Sequence, residues 1–140
     1  EMKIFLLLFN LLVILICSSC DKNNIICVEH QKANCDTDEA KTNIRIKNNS
    51  GYDFCNVVLN PFNSSTNYGK IKKGKITCYR VFETAYSYAY VNLFINDEEY
   101  IIQPIDYVGE QPLAQGYFTY SIAVTDINDL YGLSIVTIQN

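Results

Sequence analysis

The chain has 140 residues, 49% of them hydrophobic and 19% charged, which provides for one packed domain and excludes general disorder. Its net charge of −4 argues against a nucleic-acid partner, because such binders carry a basic stripe. With eleven tyrosines, seven phenylalanines and no tryptophan, any aromatic surface must be built from tyrosine and phenylalanine.

Met2-Lys3 gives a positive start, and residues 4–16 are apolar except for Asn10. At about 1.5 Å rise per residue, that run spans roughly 20 Å as a helix, short of a ~30 Å hydrocarbon core. It reads as the apolar region of a signal peptide and not as a membrane span. The run ends Ile16-Cys17-Ser18-Ser19-Cys20. That ending resembles the lipobox of bacterial lipoproteins, with Cys17 standing where Leu is usual. The resemblance implies cleavage before Cys20 and lipidation of Cys20. The expected division is a signal peptide over 1–19, a lipidated polar tether over 20–42 and a folded domain over 43–140. The competing expectation is an ordinary secretory signal, with Cys20 left for a disulfide.

The tether carries Cys27, His30, Cys35 and the acidic Asp36, Asp38 and Glu39. Cys27, His30, Cys35 and Asp36 fit no standard zinc spacing, so no metal or other cofactor is expected. Outside the cytoplasm, disulfides are the favoured reading for Cys27, Cys35, Cys55 and Cys78. Four cysteines allow three pairings, of which Cys27–Cys35 with Cys55–Cys78 is preferred. Buried free thiols at Cys55 and Cys78 are the alternative.

Residues 43–47 alternate Ile44 and Ile46 against Arg45 and Lys47, the pattern of a half-buried strand. Asn48-Asn49-Ser50-Gly51 reads as a turn. Strands are expected over 54–59, 67–71 and 76–82. The 67–71 strand is an expected edge, and Lys70, Lys72, Lys73 and Lys75 read as charges that keep that edge and its turn soluble, with contact to phosphate or lipid headgroups as the alternative. The strongest pattern is residues 86–103. Tyr86, Tyr88, Tyr90, Asn92 and Phe94 share one face of an expected strand. Ser87, Ala89, Val91, Leu93 and Ile95 share the other. A two-residue turn at Asn96-Asp97 then places Leu93 opposite Tyr100 and Val91 opposite Ile102. Residues 103–116 are a loop with Gly and Pro, 117–125 a strand, 126–131 one helical turn behind an Asp cap, and 133–138 a closing strand. Seven or eight short strands with little helix predict an all-β, antiparallel, Ig-like β-sandwich.

Two segments carry a wider resemblance. Phe82-Glu83-Thr84-Ala85-Tyr86-Ser87-Tyr88-Ala89-Tyr90-Val91 and Gln103-Pro104-Ile105-Asp106-Tyr107-Val108-Gly109-Glu110 resemble a family of small all-β lipoproteins of Gram-negative bacteria. The resemblance extends over 43–138. It implies a cell-envelope location, lipid-anchored to a bacterial membrane on its periplasmic side or at the cell surface. It brings no catalytic or binding residues.

Two chemistries compete for the function. Tyr86, Tyr88, Tyr90 and Phe94 form a candidate binding face for a protein or glycan, or else a packed aromatic layer. Asp106 and Glu110 lie in one loop and are the carboxylates a cell-envelope hydrolase would use. Without His, a serine motif or a metal cluster, they read better as loop-shaping hydrogen-bond acceptors. The expectation is a non-enzymatic binding or structural module, whose one other attachment is to the membrane through its lipid. Mass spectrometry of the membrane-extracted protein should find Cys20 acylated; an unmodified Cys20 refutes the anchor. The same sample, alkylated before reduction, yields the disulfide map.

Overall fold

The computed structural model describes residues 25–29 and 35–140. The expected signal segment, Cys20 and His30 lie outside the described residues. Eight strands follow in order: β1 (Thr42–Asn48), β2 (Phe54–Asn60), β3 (Thr66–Ile71), β4 (Arg80–Phe82), β5 (Tyr90–Ile95), β6 (Glu98–Ile102), β7 (Gly116–Val124) and β8 (Leu133–Gln139). They form two four-stranded sheets, ordered β4-β1-β7-β8 and β3-β2-β5-β6. Ile44, Ile46, Phe118, Tyr120 and Ile122 from the first sheet pack against Phe54, Leu59, Val91 and Leu93 from the second. The protein is an all-β sandwich.

The wholly antiparallel expectation needs one correction. β1 and β7 run parallel, in register from Thr42 opposite Gly116 to Asn48 opposite Ile122. Residues 49–115 separate these strands, so no hairpin dictates their direction.

Local sequence explains most strands, and side chains explain where they deviate. In β1 the expected alternation holds, with Ile44 and Ile46 buried and Arg45 and Lys47 half-buried. In β2 strict alternation would put Phe54 and Val57 on opposite faces. A bulge at Asn56, whose φ is 48°, lets both reach the core. Asn tolerates this left-handed conformation better than the β-branched residues around it. The β5–β6 hairpin has the expected register, Leu93 opposite Tyr100 and Val91 opposite Ile102. Asn96 and Asp97 supply its turn with φ of 51° and 67°, the conformation that matches strand twist.

Three expected elements are shorter or different. The strand expected over 76–82 is regular only at Arg80–Phe82. Before it, the Thr77 hydroxyl accepts the Ile46 N–H (3.0 Å) that a regular ladder would give to a carbonyl. The strand expected from Tyr86 begins only at Tyr90. Residues 83–89 carry the chain from the first sheet to the second, and their carbonyls are held from other elements, that of Ala85 by the Leu113 N–H (2.8 Å). Tyr120 donates to the Tyr86 carbonyl and Thr137 to the Ser87 carbonyl. The helical turn at 126–131 is instead a pair of Asx turns. Asp126 accepts the Asn128 N–H (2.9 Å) and Asp129 the Tyr131 N–H (3.0 Å).

The preferred disulfide pairing is also corrected. The bonds are Cys27–Cys55 and Cys35–Cys78. The incoming segment lies along the β2 bulge, where Asn56 Nδ2 donates to the Ile26 carbonyl (3.1 Å) and the Lys70 N–H to the Val28 carbonyl (2.9 Å). That placement puts Cys27 beside Cys55, and the chain then reaches Cys78 ahead of β4. Cysteines expected to staple strand to strand, or to close a local loop, thus fasten the N-terminal segment to both sheets. The described part of the expected tether is bound to the domain. With both sulfurs consumed, Cys27 and Cys35 offer no thiolate to a metal. The two disulfides fit an oxidising, extracytoplasmic compartment. Each alone would stabilise by roughly 3.5–4 kcal/mol in the chain-entropy picture, less together because their loops overlap.

Two tyrosines set the alkaline limit of the fold. Burial pushes the Tyr68 and Tyr120 hydroxyls above their ordinary value of 10, with Arg80 opposing the shift at Tyr68. Below that value both states are protonated and the stability is fully present. Above it the unfolded chain loses protons that the folded chain keeps, so stability falls by about 1.4 kcal/mol per pH unit per tyrosine. Urea midpoints should therefore be flat to about pH 10 and decline beyond it. Tyr120→Phe should make the alkaline slope shallower by up to about 1.4 kcal/mol per pH unit; an unchanged slope would show that Tyr120 ionises freely in the fold.

Candidate functional site

The crossover 83–89 ends at the foot of β5, and its tyrosines meet the loop after β6. The Tyr107 ring lies between two others, stacked on Tyr86 at 4.5 Å and on Tyr88 at 5.4 Å between centroids. Phe62, from the loop after β2, meets both Tyr86 (5.3 Å) and Tyr107 (5.6 Å) edge-on. Such pairs contribute about 0.5–1.5 kcal/mol each beyond burial. The Tyr88 hydroxyl donates to the Asp106 carbonyl at 3.0 Å, which ties the loop down from the other end.

The expected ladder of Tyr86, Tyr88, Tyr90 and Phe94 is thus divided. Tyr86 and Tyr88 clamp the loop through Tyr107, so part of the face is a packed layer. Tyr90 stands beside the clamp. Phe94 lies further along β5, half-buried, and takes no part in these ring contacts. The rings that complete the cluster, Phe62 and Tyr107, come from loops distant in sequence. Tyr107 lies in the loop after β6, and no periodicity marks a loop tyrosine as the partner of a strand face.

A hollow of about 470 Å³ opens beside this cluster. Phe62, Tyr90 and Tyr107 line its apolar side; Asn60, Asn63 and Gln103 bring amides to its rim. Residues 60–63 curl around it, with the Asn60 Oδ1 accepting the Ser64 N–H (3.3 Å) and Asn63 in the left-handed conformation at φ 52°. Its volume falls within the range of small-molecule sites.

Asp106 also lines the hollow, whereas Glu110 does not. The Asp106 carboxylate accepts the Val108 N–H at 3.0 Å and shapes its own loop. Glu110 acts instead on Tyr88, through its charge and a side-chain hydrogen bond. Desolvation first, then the Glu110 and Asp106 charges, raise the Tyr88 hydroxyl above its ordinary value of 10. Desolvation likewise raises Tyr107, with Tyr88 and Tyr86 adding to it. Both hydroxyls are protonated donors at neutral pH. The structure does not gather the two carboxylates into one cavity. The loop tip projects Ile105, which also lines the hollow, and Val108, which does not; they are 99% and 88% exposed.

No family model matches the chain, and no curated protein matches it. Among solved structures, an NMR structure of a protein from Eubacterium rectale is similar at 11% identity with a TM-score of 0.49, covering 72% of this chain and 89% of that one. At that distance the likeness carries no argument about function.

The clamp makes a separable prediction. Tyr107→Ala should cost about 1–3 kcal/mol and leave the sandwich folded, because the lost rings lie outside the core. Hydrogen-exchange mass spectrometry should then show faster exchange over 104–110 and little change in β5. Unchanged exchange in the loop would mean that the rings do not hold it.

Proposed function

We propose that this protein is a lipid-anchored, extracytoplasmic binding module of the bacterial cell envelope, and that it takes a saccharide in the hollow beside Tyr107. One observation carries the reading: aromatic rings and amide side chains share a single opening of ligand size. A pyranose ring has an apolar C–H face and a rim of hydroxyls. Phe62 and Tyr90 suit the first, since both faces of Tyr107 are taken by Tyr86 and Tyr88, and Asn60, Asn63 and Gln103 suit the second. Pockets of this kind gain orientation and specificity from a few placed polar groups on a largely apolar wall. The clamp on Tyr107 serves binding by holding that ring in place before the ligand arrives. An acylated Cys20 would keep the module at a membrane without an apolar membrane face of its own, since two or more acyl chains anchor stably.

A second reading, a protein partner at the same face, is favoured by Ile105 and Val108, whose exposure supplies apolar anchors at the rim. A panel of cell-envelope oligosaccharides titrated against the full chain separates the two. The saccharide reading expects one class to bind, with Tyr90→Ala weakening it about tenfold or more and Phe94→Ala leaving it unchanged. If no saccharide binds and cross-linking in cells captures a protein lost on Ile105→Ser, the second reading holds. If neither happens, both fail.

A further inference from the structure

The lysines around residues 70–75 do not all face away from the domain. A cleft of about 440 Å³ lies between β3 and the lead-in to β4, where the edges of the two sheets part. Lys70, Lys72, Lys75 and Arg80 line it, with Glu29 the one carboxylate among its lining residues. That is a concentrated positive site on a chain whose net charge is −4. Lys73, in the same turn, is not part of the lining. Edge protection accounts for Lys73 and leaves the other three unexplained.

Arg80 is the informative residue. Its Nη1 is buried and has no hydrogen-bond partner among the described residues. Its guanidinium carbon lies 5.7 Å from the centroid of the Tyr68 ring, whose hydroxyl is fixed to the Ile44 carbonyl at 2.9 Å. A buried guanidinium donor without an acceptor is costly, and native structures normally satisfy it. The neighbouring cations are poorly neutralised as well. Lys70 reaches Asp53 and Lys72 reaches Glu29 only at 3.9 Å, and Lys75 makes no ion pair among the described residues. The frame is built before any ligand comes: the Lys75 N–H bonds the Lys72 carbonyl (3.0 Å), the Gly74 N–H bonds the Asn48 carbonyl (3.0 Å), and Cys78 is held by its disulfide.

We propose that this cleft is a binding site for a phosphoryl group, with Arg80 its anchor and Lys70, Lys72 and Lys75 neutralising the dianion. A guanidinium meets phosphate oxygens in a fork, and ammonium groups add point charge without demanding one geometry. The volume admits a phosphate with a substituent, so the group belongs either to a soluble phosphate monoester or to an anionic lipid headgroup. This site is separate from the aromatic hollow, and neither reading depends on the other.

The test titrates the full chain, in neutral-detergent micelles, with two probes. Inorganic phosphate is added in one arm; the micelles are doped with phosphatidic acid in the other. Binding is followed by calorimetry and by the Arg80 side-chain NMR signals. Saturable binding in either arm is expected, with Arg80→Gln raising Kd at least tenfold and Lys73→Gln changing it less than twofold. Binding in the phosphate arm assigns a soluble source; binding confined to the doped micelles assigns a headgroup. If Arg80→Gln does not fold, the Lys70→Gln/Lys75→Gln double variant takes its place with the same expected loss. No binding in either arm overturns the proposal. So does an equal effect of Arg80→Gln, or of the double variant in its place, and of Lys73→Gln, which would be general surface charge.

Discussion

Much of this sandwich hangs on one buried side chain at the end of β1. Asn48 is fully buried, and its Nδ2 donates to the Tyr52 carbonyl (2.7 Å) and to the Ile71 carbonyl at the end of β3 (2.9 Å). Its Oδ1 accepts from the Ser50 N–H (3.0 Å) and the Ser50 hydroxyl (2.7 Å). Its own N–H goes to the Lys75 carbonyl (2.9 Å), and its carbonyl accepts from Gly74 (3.0 Å). One residue therefore joins the first sheet to the edge strand of the second through its side chain and closes the turn that carries the lysines through its main chain. A buried amide is stabilising only when it is satisfied, and here the arrangement of β1, β3 and the 72–75 turn satisfies it. The basic cleft has its shape because that joint is made.

The other end of β1 repeats the device. Asn43, also fully buried, donates to the carbonyls of Asp38 (2.8 Å), Lys41 (3.1 Å) and Gly116 (3.1 Å) and accepts the Asp38 N–H (2.9 Å). This fixes the approach to β1 and its parallel neighbour β7 together. The disulfides act on the same region from outside. They attach the N-terminal segment to β2 in one sheet and to the β4 lead-in of the other, so the entry of the chain is part of the domain. For a protein proposed to hang from a lipid, that attachment would limit how far the domain swings from its anchor.

Both candidate sites arise where the sheets fail to pair. The cleft lies between the edge strands β3 and β4. The aromatic cluster lies where the chain leaves the first sheet for the second, with the Tyr120 hydroxyl reaching out of the core to hold the Tyr86 carbonyl. Loops and edges are free of ladder geometry, and their side chains can be placed for contact instead. The regular strands supply rigidity, and the departures from them supply shape.

The sequence by itself determined the all-β class, the alternation in β1 and the hairpin register of β5 and β6. Those features rest on period-2 patterning and on a two-residue turn, and residues close in the chain are enough to specify them. Asn48 was legible only as a turn former, since its amide partners arrive from Ile71 and Tyr52 through the fold. The face bearing Tyr86, Tyr88 and Tyr90 was visible, but not its division between a clamp and a hollow, because Phe62 and Tyr107 come from other loops. Arg80 is not distinguishable in sequence from the four lysines near it, since burial and a missing acceptor are not written in a linear string. Disulfide pairing, the parallel β1–β7 contact and the late start of the tyrosine strand were decided by tertiary structure alone. Each depends on which distant segment lies alongside, and that is settled when the whole core is packed at once.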